Sequence, residues 1–108
     1  MKLNEYQEKA AKTAMYPAEV GIAYVTMGLA GEAGEIANKV KKVYRDDGGV
    51  LTVAAQEQLA KEVGDVLWYV AMMAKEFGYT LEEVAQMNVD KLESRYERGA
   101  IQGEGDER

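Results

Sequence analysis

The chain of 108 residues contains no cysteine and no histidine. Without cysteine it cannot form disulfides, thiolate metal sites or a cysteine nucleophile. Without histidine it lacks imidazole general bases, Ser-His triads and the histidine ligands of di-iron helical bundles. Any catalysis or metal binding must therefore depend on carboxylates, hydroxyls, amides and cationic side chains.

Long apolar runs are also missing. The longest uncharged stretch, Val20 to Gly31, has 12 residues, which is too short to span a bilayer as a helix. The first ten residues lack the apolar segment of a signal peptide. A net charge of −6 opposes binding to nucleic acid and to anionic membranes. We therefore expect a cytoplasmic protein without either partner, in which an anionic substrate needs cations to bind.

Apolar residues recur with helical spacing along most of the chain, and one proline and grouped glycines separate the segments. This pattern predicts an all-α fold, a bundle of four to five helices. The predicted helices cover residues 3–15, 21–44, 53–77 and 80–98. They form one helical domain over residues 1–98, followed by a glycine-rich, polar C-terminal tail over residues 99–108.

Local signals support these helix boundaries. Asn4, with Gln7 three residues later, is typical of a helix start, and Thr80 with Glu83 predicts a capping box. The second and third predicted helices carry apolar seams with steps of three, four and seven residues. The seam residues are Ile22, Val25, Leu29, Ile36, Val40 and Val43 in one helix, and Leu59, Val63, Val66, Val70, Met73 and Phe77 in the other. Helices joined by a short turn are usually antiparallel neighbours.

Two pairs of acids lie in these two helices: Glu32 with Glu35, and Glu62 with Asp65. At ~100° per residue, each pair borders its apolar seam on the same rotational side. Both pairs also lie at the same distance from the turn, so antiparallel pairing would bring four carboxylates together. Such a cluster repels itself unless a cation lies within it. Oxygen-only ligands suit Mg²⁺ or Mn²⁺, so the pattern predicts a metal site formed by all four acids.

Acids at this spacing are also common on solvated helix faces, and one such pair alone would indicate little. Two features favour a site. Glu32 occupies a seam position where an apolar residue is expected, between Leu29 and Ile36. The nearby Gly28, Gly31 and Gly34 each weaken the helix by ~1 kcal/mol relative to alanine, and they permit close approach of another helix or of a ligand.

The segment GEAGEIANKVKK, followed by KEVGDVLWYVA, resembles the MazG-like nucleoside triphosphate pyrophosphohydrolases of the all-α NTP pyrophosphatase superfamily. That family's pattern is E-x-x-E, a spacer and E-x-x-D; here it reads Glu32-x-x-Glu35, 26 residues, then Glu62-x-x-Asp65. The resemblance implies Mg²⁺-dependent cleavage between the α and β phosphates, with a nucleoside monophosphate and pyrophosphate as products. It also implies a homo-oligomer, a dimer or a tetramer. Many relatives have a second glutamate where this chain has Gly31, which leaves open whether Glu32 or Glu35 activates the water.

The resemblance further implies polar contacts to the phosphates or ribose of the substrate. Asn88, Lys91 and Arg95 share one face of the fourth predicted helix and are the candidates there; the alternative is an exposed face of alternating charge. Lys39 lies one turn after Glu35, and it predicts either a phosphate contact or an i,i+4 ion pair. Arg98 or Arg108 would approach a phosphate if the tail packs over a neighbouring subunit.

Trp68 and Tyr69 fall outside the centre of the apolar seam, so Trp68 is expected at a subunit interface, with base stacking as the alternative. Three functions stay open from the sequence. The first is a pyrophosphohydrolase that removes non-canonical or excess nucleoside triphosphates. The second is a diphosphatase specific for dUTP or dCTP. The third is a non-catalytic oligomerisation or regulatory module with a structural cation.

Overall fold

The computed structural model describes the whole chain, residues 1–108. It contains four α-helices and no strand, so the predicted all-α fold is confirmed. A single turn of 3₁₀-helix, Ala18–Val20, precedes the second helix. In chain order the helices are α1 (Leu3–Ala11), α2 (Gly21–Asp46), α3 (Val53–Glu76) and α4 (Leu81–Glu97).

The predicted helix boundaries differ from the observed ones mainly at the ends of α1 and α2. α1 was predicted to reach residue 15 but ends at Ala11, where the Thr13 hydroxyl donates a hydrogen bond to the Ala10 carbonyl at 2.7 Å. α2 runs two residues beyond its predicted end, and Gly48 and Gly49 then turn the chain with φ values of 62° and 80°. These positive φ values favour glycine, which explains the position of the turn.

The capping box of α4 is present: Thr80 accepts a hydrogen bond from the Glu83 amide, and Glu83 accepts one from the Thr80 amide. The helix-start role predicted for Asn4 and Gln7 is wrong, because no side chain caps α1. Their amide oxygens instead accept hydrogen bonds from the first backbone N–H groups of α4, those of Glu82 and Leu81, each at 3.0 Å. Both residues therefore satisfy a helix end that lies far away in the sequence.

α2 and α3 form an antiparallel hairpin, the most extensive helix pair of the molecule. Near its turn Lys39 contacts Glu62, farther along the Tyr69 ring packs against Gly28, and at the far end the Glu76 carboxylate approaches Gly21. A Cβ atom at Gly28 would overlap the Tyr69 ring. The glycine therefore allows the two helices to approach at the level of the predicted acid pairs.

The core lies where α1 crosses the hairpin. Its buried residues come from all four helices: Ala10, Val25, Ala71, Met72 and Leu81. The predicted seams are only partly buried: Val25 and Val43 are in the interior, whereas Val63 and Phe77 are each 55% exposed. The buried residues of α3, Ala71, Met72 and Ala74, lie outside its predicted seam. The reason is that α1 packs against another face of α3, so the seam is only partly covered.

Residues 99–108, the predicted polar tail, form no helix and turn back onto α4 of the same chain, where Arg95 contacts Asp106. None of the four helices has the length and apolar character needed to cross a membrane.

Candidate metal centre and active site

The hairpin brings three of the four predicted acids together. One carboxylate oxygen from each of Glu32, Glu62 and Asp65 lies within 4.8 Å of the others. Glu32 and Glu62 are half-buried and Asp65 is exposed. A hard divalent cation binds oxygen at ~2.0–2.6 Å, so two oxygens on opposite sides of it lie ~4–5 Å apart. The three carboxylates are therefore close enough to share one cation, with a small inward movement of the side chains for Mg²⁺, across which opposite oxygens lie ~4.2 Å apart.

Glu35, the fourth predicted ligand, lies outside this group and is exposed. Its charge still acts on the cluster, since it contributes to raising the pKa values of Glu32 and Lys39. The predicted square of four carboxylates thus consists of three converging acids with Glu35 beside them.

The pKa values in the cluster are displaced in opposite directions. Burial, followed by the charges of Asp65 and Glu62, raises the pKa of Glu32 above 4.5. A hydrogen bond from Lys39 lowers the pKa of Glu62 below 4.5. In the absence of a cation, the cluster therefore reduces its own repulsion by keeping a proton on Glu32 more readily than on Glu62.

Lys39 is the cation nearest to these acids. Its Nζ atom lies 2.5 Å from Glu62 Oε1, and the two side chains are 37% and 17% exposed. This hydrogen bond is the main cause of the raised pKa of Lys39. The ion pair expected within α2, to Glu35, is therefore replaced by one that crosses to α3. Lys39 lies beside the cluster, where a phosphate contact stays a prediction.

A cleft of about 280 Å³ opens beside Glu32 and Asp65, and Thr13, Trp68 and Tyr69 complete its lining. The indole Nε1 of Trp68 donates a hydrogen bond to Thr13 Oγ1 at 2.8 Å, and the Trp68 and Tyr69 rings meet edge to face at 4.9 Å. Burial raises the pKa of Tyr69, with smaller contributions from Tyr24, Glu32 and Asp65. The acids therefore border an aromatic wall formed by Trp68 and Tyr69.

Sequence reasoning missed most of this wall as part of the site. Tyr16 and Tyr24, stacked at 4.8 Å, extend it behind Trp68 and Tyr69. Tyr69 follows Asp65 by one helical turn, and that spacing could have identified it. Thr13, Tyr16 and Tyr24 come from other parts of the chain and form no local motif with the acids.

The other predicted substrate residues lie elsewhere in the chain. Asn88 and Lys91 line a separate pocket of about 510 Å³ between the end of α3 and α4, together with Asp106 of the tail. Lys91 and Arg95 both form ion pairs with Asp106. Neither Asn88 nor either cation lines the cleft beside the acids. Within one chain, the structure therefore does not bring the α4 residues into the acid cluster.

The chain is similar to a known protein family and to two individual proteins. A model of the MazG nucleotide pyrophosphohydrolase domain matches residues 22–99. The Gene 37 protein of Mycobacterium phage L5 is 51% identical over 114 aligned residues, which cover 100% of both chains. The protein YvdC of Bacillus subtilis (strain 168), described as uncharacterized, is 34% identical over 101 residues, 88% of this chain and 90% of its own. No solved structure matches the chain significantly.

The region matched by the family model contains both acid pairs and most of the hairpin that brings three of these acids together. By this match, the chain belongs to the MazG nucleotide pyrophosphohydrolase family.

Proposed function

We propose that the chain is an Mg²⁺-dependent nucleoside triphosphate pyrophosphohydrolase of the cytoplasm. It cleaves the α–β phosphoanhydride of (d)NTPs and releases a nucleoside monophosphate and pyrophosphate, and so removes non-canonical or excess nucleotides from the pool. One observation carries the proposal: in a chain of this family, carboxylate oxygens of Glu32, Glu62 and Asp65 converge to within 4.8 Å beside an aromatic cleft.

The donor set fits the proposed cation. It consists of carboxylates alone, which suit Mg²⁺ or Mn²⁺ better than metals that prefer sulfur or nitrogen. The raised pKa of Glu32 is the expected behaviour of such a cluster without a cation. Glu32, Glu62 and Asp65 would hold the ion. When bound, Mg²⁺ neutralises charge on the phosphoryl oxygens and lowers the pKa of a bound water.

The proton of the attacking water goes to Glu35 in this proposal. Glu35 is exposed and lies outside the three converging acids, so it is free to act as the general base. Glu32 is the weaker candidate because it is one of the three acids that would hold the ion. The water oxygen bonds to phosphorus as the bridging oxygen leaves with pyrophosphate, and the cationic Lys39 stabilises the phosphoryl charge.

The aromatic wall provides a surface for the nucleobase. Trp68 is fixed by its hydrogen bond to Thr13 and lies next to Tyr69 in the lining of the cleft. Aromatic rings stack on bases regardless of base identity, so this wall supports binding without selecting one base. We assign Trp68 to base stacking; the subunit interface stays its alternative role.

Asn88, Lys91 and Arg95 complete the proposal as contacts to the phosphates or ribose. Because they lie outside the acid cleft of their own chain, they would reach the substrate from a second copy in a homo-oligomer. A dimer is the minimum assembly that allows this, and a tetramer is our preferred one.

Pyrophosphate release with Mg²⁺, measured across a panel of nucleoside triphosphates, tests the function. Broad hydrolysis is expected. Hydrolysis of dUTP or dCTP alone would identify the specific diphosphatase instead. If the folded protein hydrolyses none of them, it is a non-catalytic helical module with a structural cation.

The assigned residues are tested by Glu35→Gln and Asp65→Asn, which keep side-chain shape but remove charge. Each is expected to lose more than about tenfold in activity, a barrier increase above ~1.4 kcal/mol. The matched control is Glu57→Gln on the exposed face of α3, where Glu57 pairs only with Lys61 at 4.0 Å. If either site variant retains activity like the control, its residue has no direct role.

A further inference from the structure

The tail, residues 99–108, brings the carboxylate of Asp106 into contact with the two cations of α4, Lys91 and Arg95. Asp106 Oδ1 lies 2.7 Å from Lys91 Nζ and 3.0 Å from Arg95 Nη2. Arg95 also donates a hydrogen bond to the backbone carbonyl of Asp106. The hydrogen bonds from Lys91 and Arg95 hold the pKa of Asp106 below its ordinary value of 3.8. The carboxylate is therefore a stable anion at neutral pH.

Arg108 fixes the tail in the conformation that presents Asp106. Its guanidinium donates hydrogen bonds to three backbone carbonyls, those of Ala100 at 3.1 Å, Gly105 at 2.7 Å and Ile101 at 2.8 Å. Arg98, at the end of α4, donates to the Arg108 carbonyl at 2.7 Å. These bonds close the tail into a loop that returns to α4.

The ion pair is asymmetric in burial. The Arg95 side chain is 7% exposed, whereas that of Asp106 is 73% exposed. A buried guanidinium without an anion is costly, but an exposed carboxylate is a weakly held, solvent-screened partner. Exchange of Asp106 for another anion is therefore easier than its simple release.

A pocket adjoins the pair. Its volume is about 510 Å³, and its apolar lining comes from Ala74, Phe77, Tyr79, Val84 and Met87. Asn88, Lys91 and Asp106 supply its polar edge. An anion that replaced the Asp106 carboxylate would thus lie at the edge of an apolar and aromatic space.

We propose that Asp106 is an internal anion that occupies the phosphate position formed by Lys91 and Arg95, and that the phosphates of a nucleotide displace it. The proposal rests on the phosphate role proposed above for these two cations. A triphosphate carries more negative charge than one carboxylate, so it competes more strongly than a singly charged ligand. The tail thereby raises the nucleotide concentration needed for binding.

The kinetic test compares Asp106→Asn with Glu104→Gln, a change at an exposed acid of the same tail that forms no ion pair. Asp106→Asn is expected to lower KM for a nucleoside triphosphate by about two- to fivefold, the range of an exposed ion pair, with kcat unchanged. Glu104→Gln should leave both constants unchanged. An unchanged or higher KM in Asp106→Asn, or an equal fall in both variants, overturns the proposal.

A second measurement does not depend on catalysis. Because the chain has no cysteine, a nitroxide attached through Glu107→Cys reports on the tail alone. Inorganic pyrophosphate without Mg²⁺ is expected to increase the mobility of the nitroxide, as should Asp106→Asn without any ligand. If pyrophosphate leaves the spectrum unchanged, Asp106 is not displaced and the proposal fails. If pyrophosphate increases the mobility of the nitroxide but no nucleotide is hydrolysed, the proposed enzyme activity fails while the displacement of Asp106 holds.

Discussion

At the scale of single residues, the acid cluster is defined by the different environments of chemically similar carboxylates. Glu32 is half-buried and faces the negative charges of Asp65 and Glu62, so its pKa is raised. Glu62 accepts the hydrogen bond from Lys39, so its pKa is lowered. A bound cation would favour the charged form of all three acids, which couples metal binding to both the stability of the fold and the pH.

Metal binding should therefore be visible as thermal stabilisation. We expect Mg²⁺ at a hundred times its Kd to stabilise the wild-type chain by ~2.7 kcal/mol, which raises Tm by on the order of 10 °C in a domain of this size. Glu62→Gln should lose most of this increase, because it removes a ligand charge. Differential scanning fluorimetry with and without Mg²⁺ measures the difference, and Glu57→Gln should respond like the wild type. An equal increase in Glu62→Gln would mean that this carboxylate does not hold the ion.

The stability of the metal-free chain should depend on pH through Glu32. A raised pKa in the folded state means that the contribution of Glu32 is fully present below pH 4.5 and is lost as pH rises through the raised value. The contribution of Glu62 to stability has the opposite pH dependence, since its folded pKa is lowered: it is present above pH 4.5 and is lost as pH falls through the lowered value. In EDTA, Glu32→Gln should therefore gain Tm over the wild type as pH rises above 4.5. A constant difference in Tm across pH 4 to 8 would contradict the assigned shift.

At the scale of elements, three glycines on α2 have different surroundings. Gly28 lies against the Tyr69 ring, whereas Gly31 and Gly34 have no neighbouring atom within 4 Å of a built Cβ. Of these three, only Gly28 therefore lies where the packing of α2 on α3 leaves no room for a Cβ atom. The other two leave an open helix face beside Glu32 and Glu35.

Alanine substitutions at Gly28 and Gly31 should change the free energy of unfolding in opposite directions. Gly28→Ala is expected to destabilise the chain by ~1–3 kcal/mol, because the new methyl group overlaps the Tyr69 ring. Gly31→Ala, the matched control, should stabilise it by up to ~1 kcal/mol through helix propensity. Urea unfolding followed by circular dichroism measures both. Similar changes for the two variants would show that Tyr69 does not require the glycine.

At the scale of the whole molecule, the single chain is less compact than a typical domain of the same length. Its radius of gyration is 16.8 Å, whereas a compact domain of this size has one of ~13 Å. Only 10 of 108 residues are buried, and large apolar side chains such as Met27, Phe77 and Tyr96 are 68%, 55% and 79% exposed. A second copy of the chain is the commonest cover for such a surface.

Light scattering should therefore give at least twice the chain mass of 11.9 kDa at micromolar concentration. Phe77→Glu places a charge directly after the last residue of α3, at the exposed end of its apolar seam, and it is expected to shift the mass towards the monomer. Gln56→Glu, at an exposed polar position of the same helix, should leave the mass unchanged. A wild-type mass near that of one chain would rule out a stable oligomer.

The sequence by itself determined the helices, the hairpin and the candidate acids, because periodicity, glycine turns and capping signals are local properties of the chain. It placed Glu32, Glu62 and Asp65 correctly beside one another, since antiparallel pairing about a short turn leaves little freedom in register. Most helix boundaries were correct to within two residues for the same reason.

Only the tertiary structure decided which partners these residues meet. Gln7 serves the start of α4 instead of its own helix, Lys39 pairs across to α3, and Asp106 reaches Lys91 and Arg95 from the tail. These contacts join segments whose spacing in the sequence carries no pattern. They depend on how α1 crosses the hairpin and how the tail turns back, and that packing is a property of the whole chain.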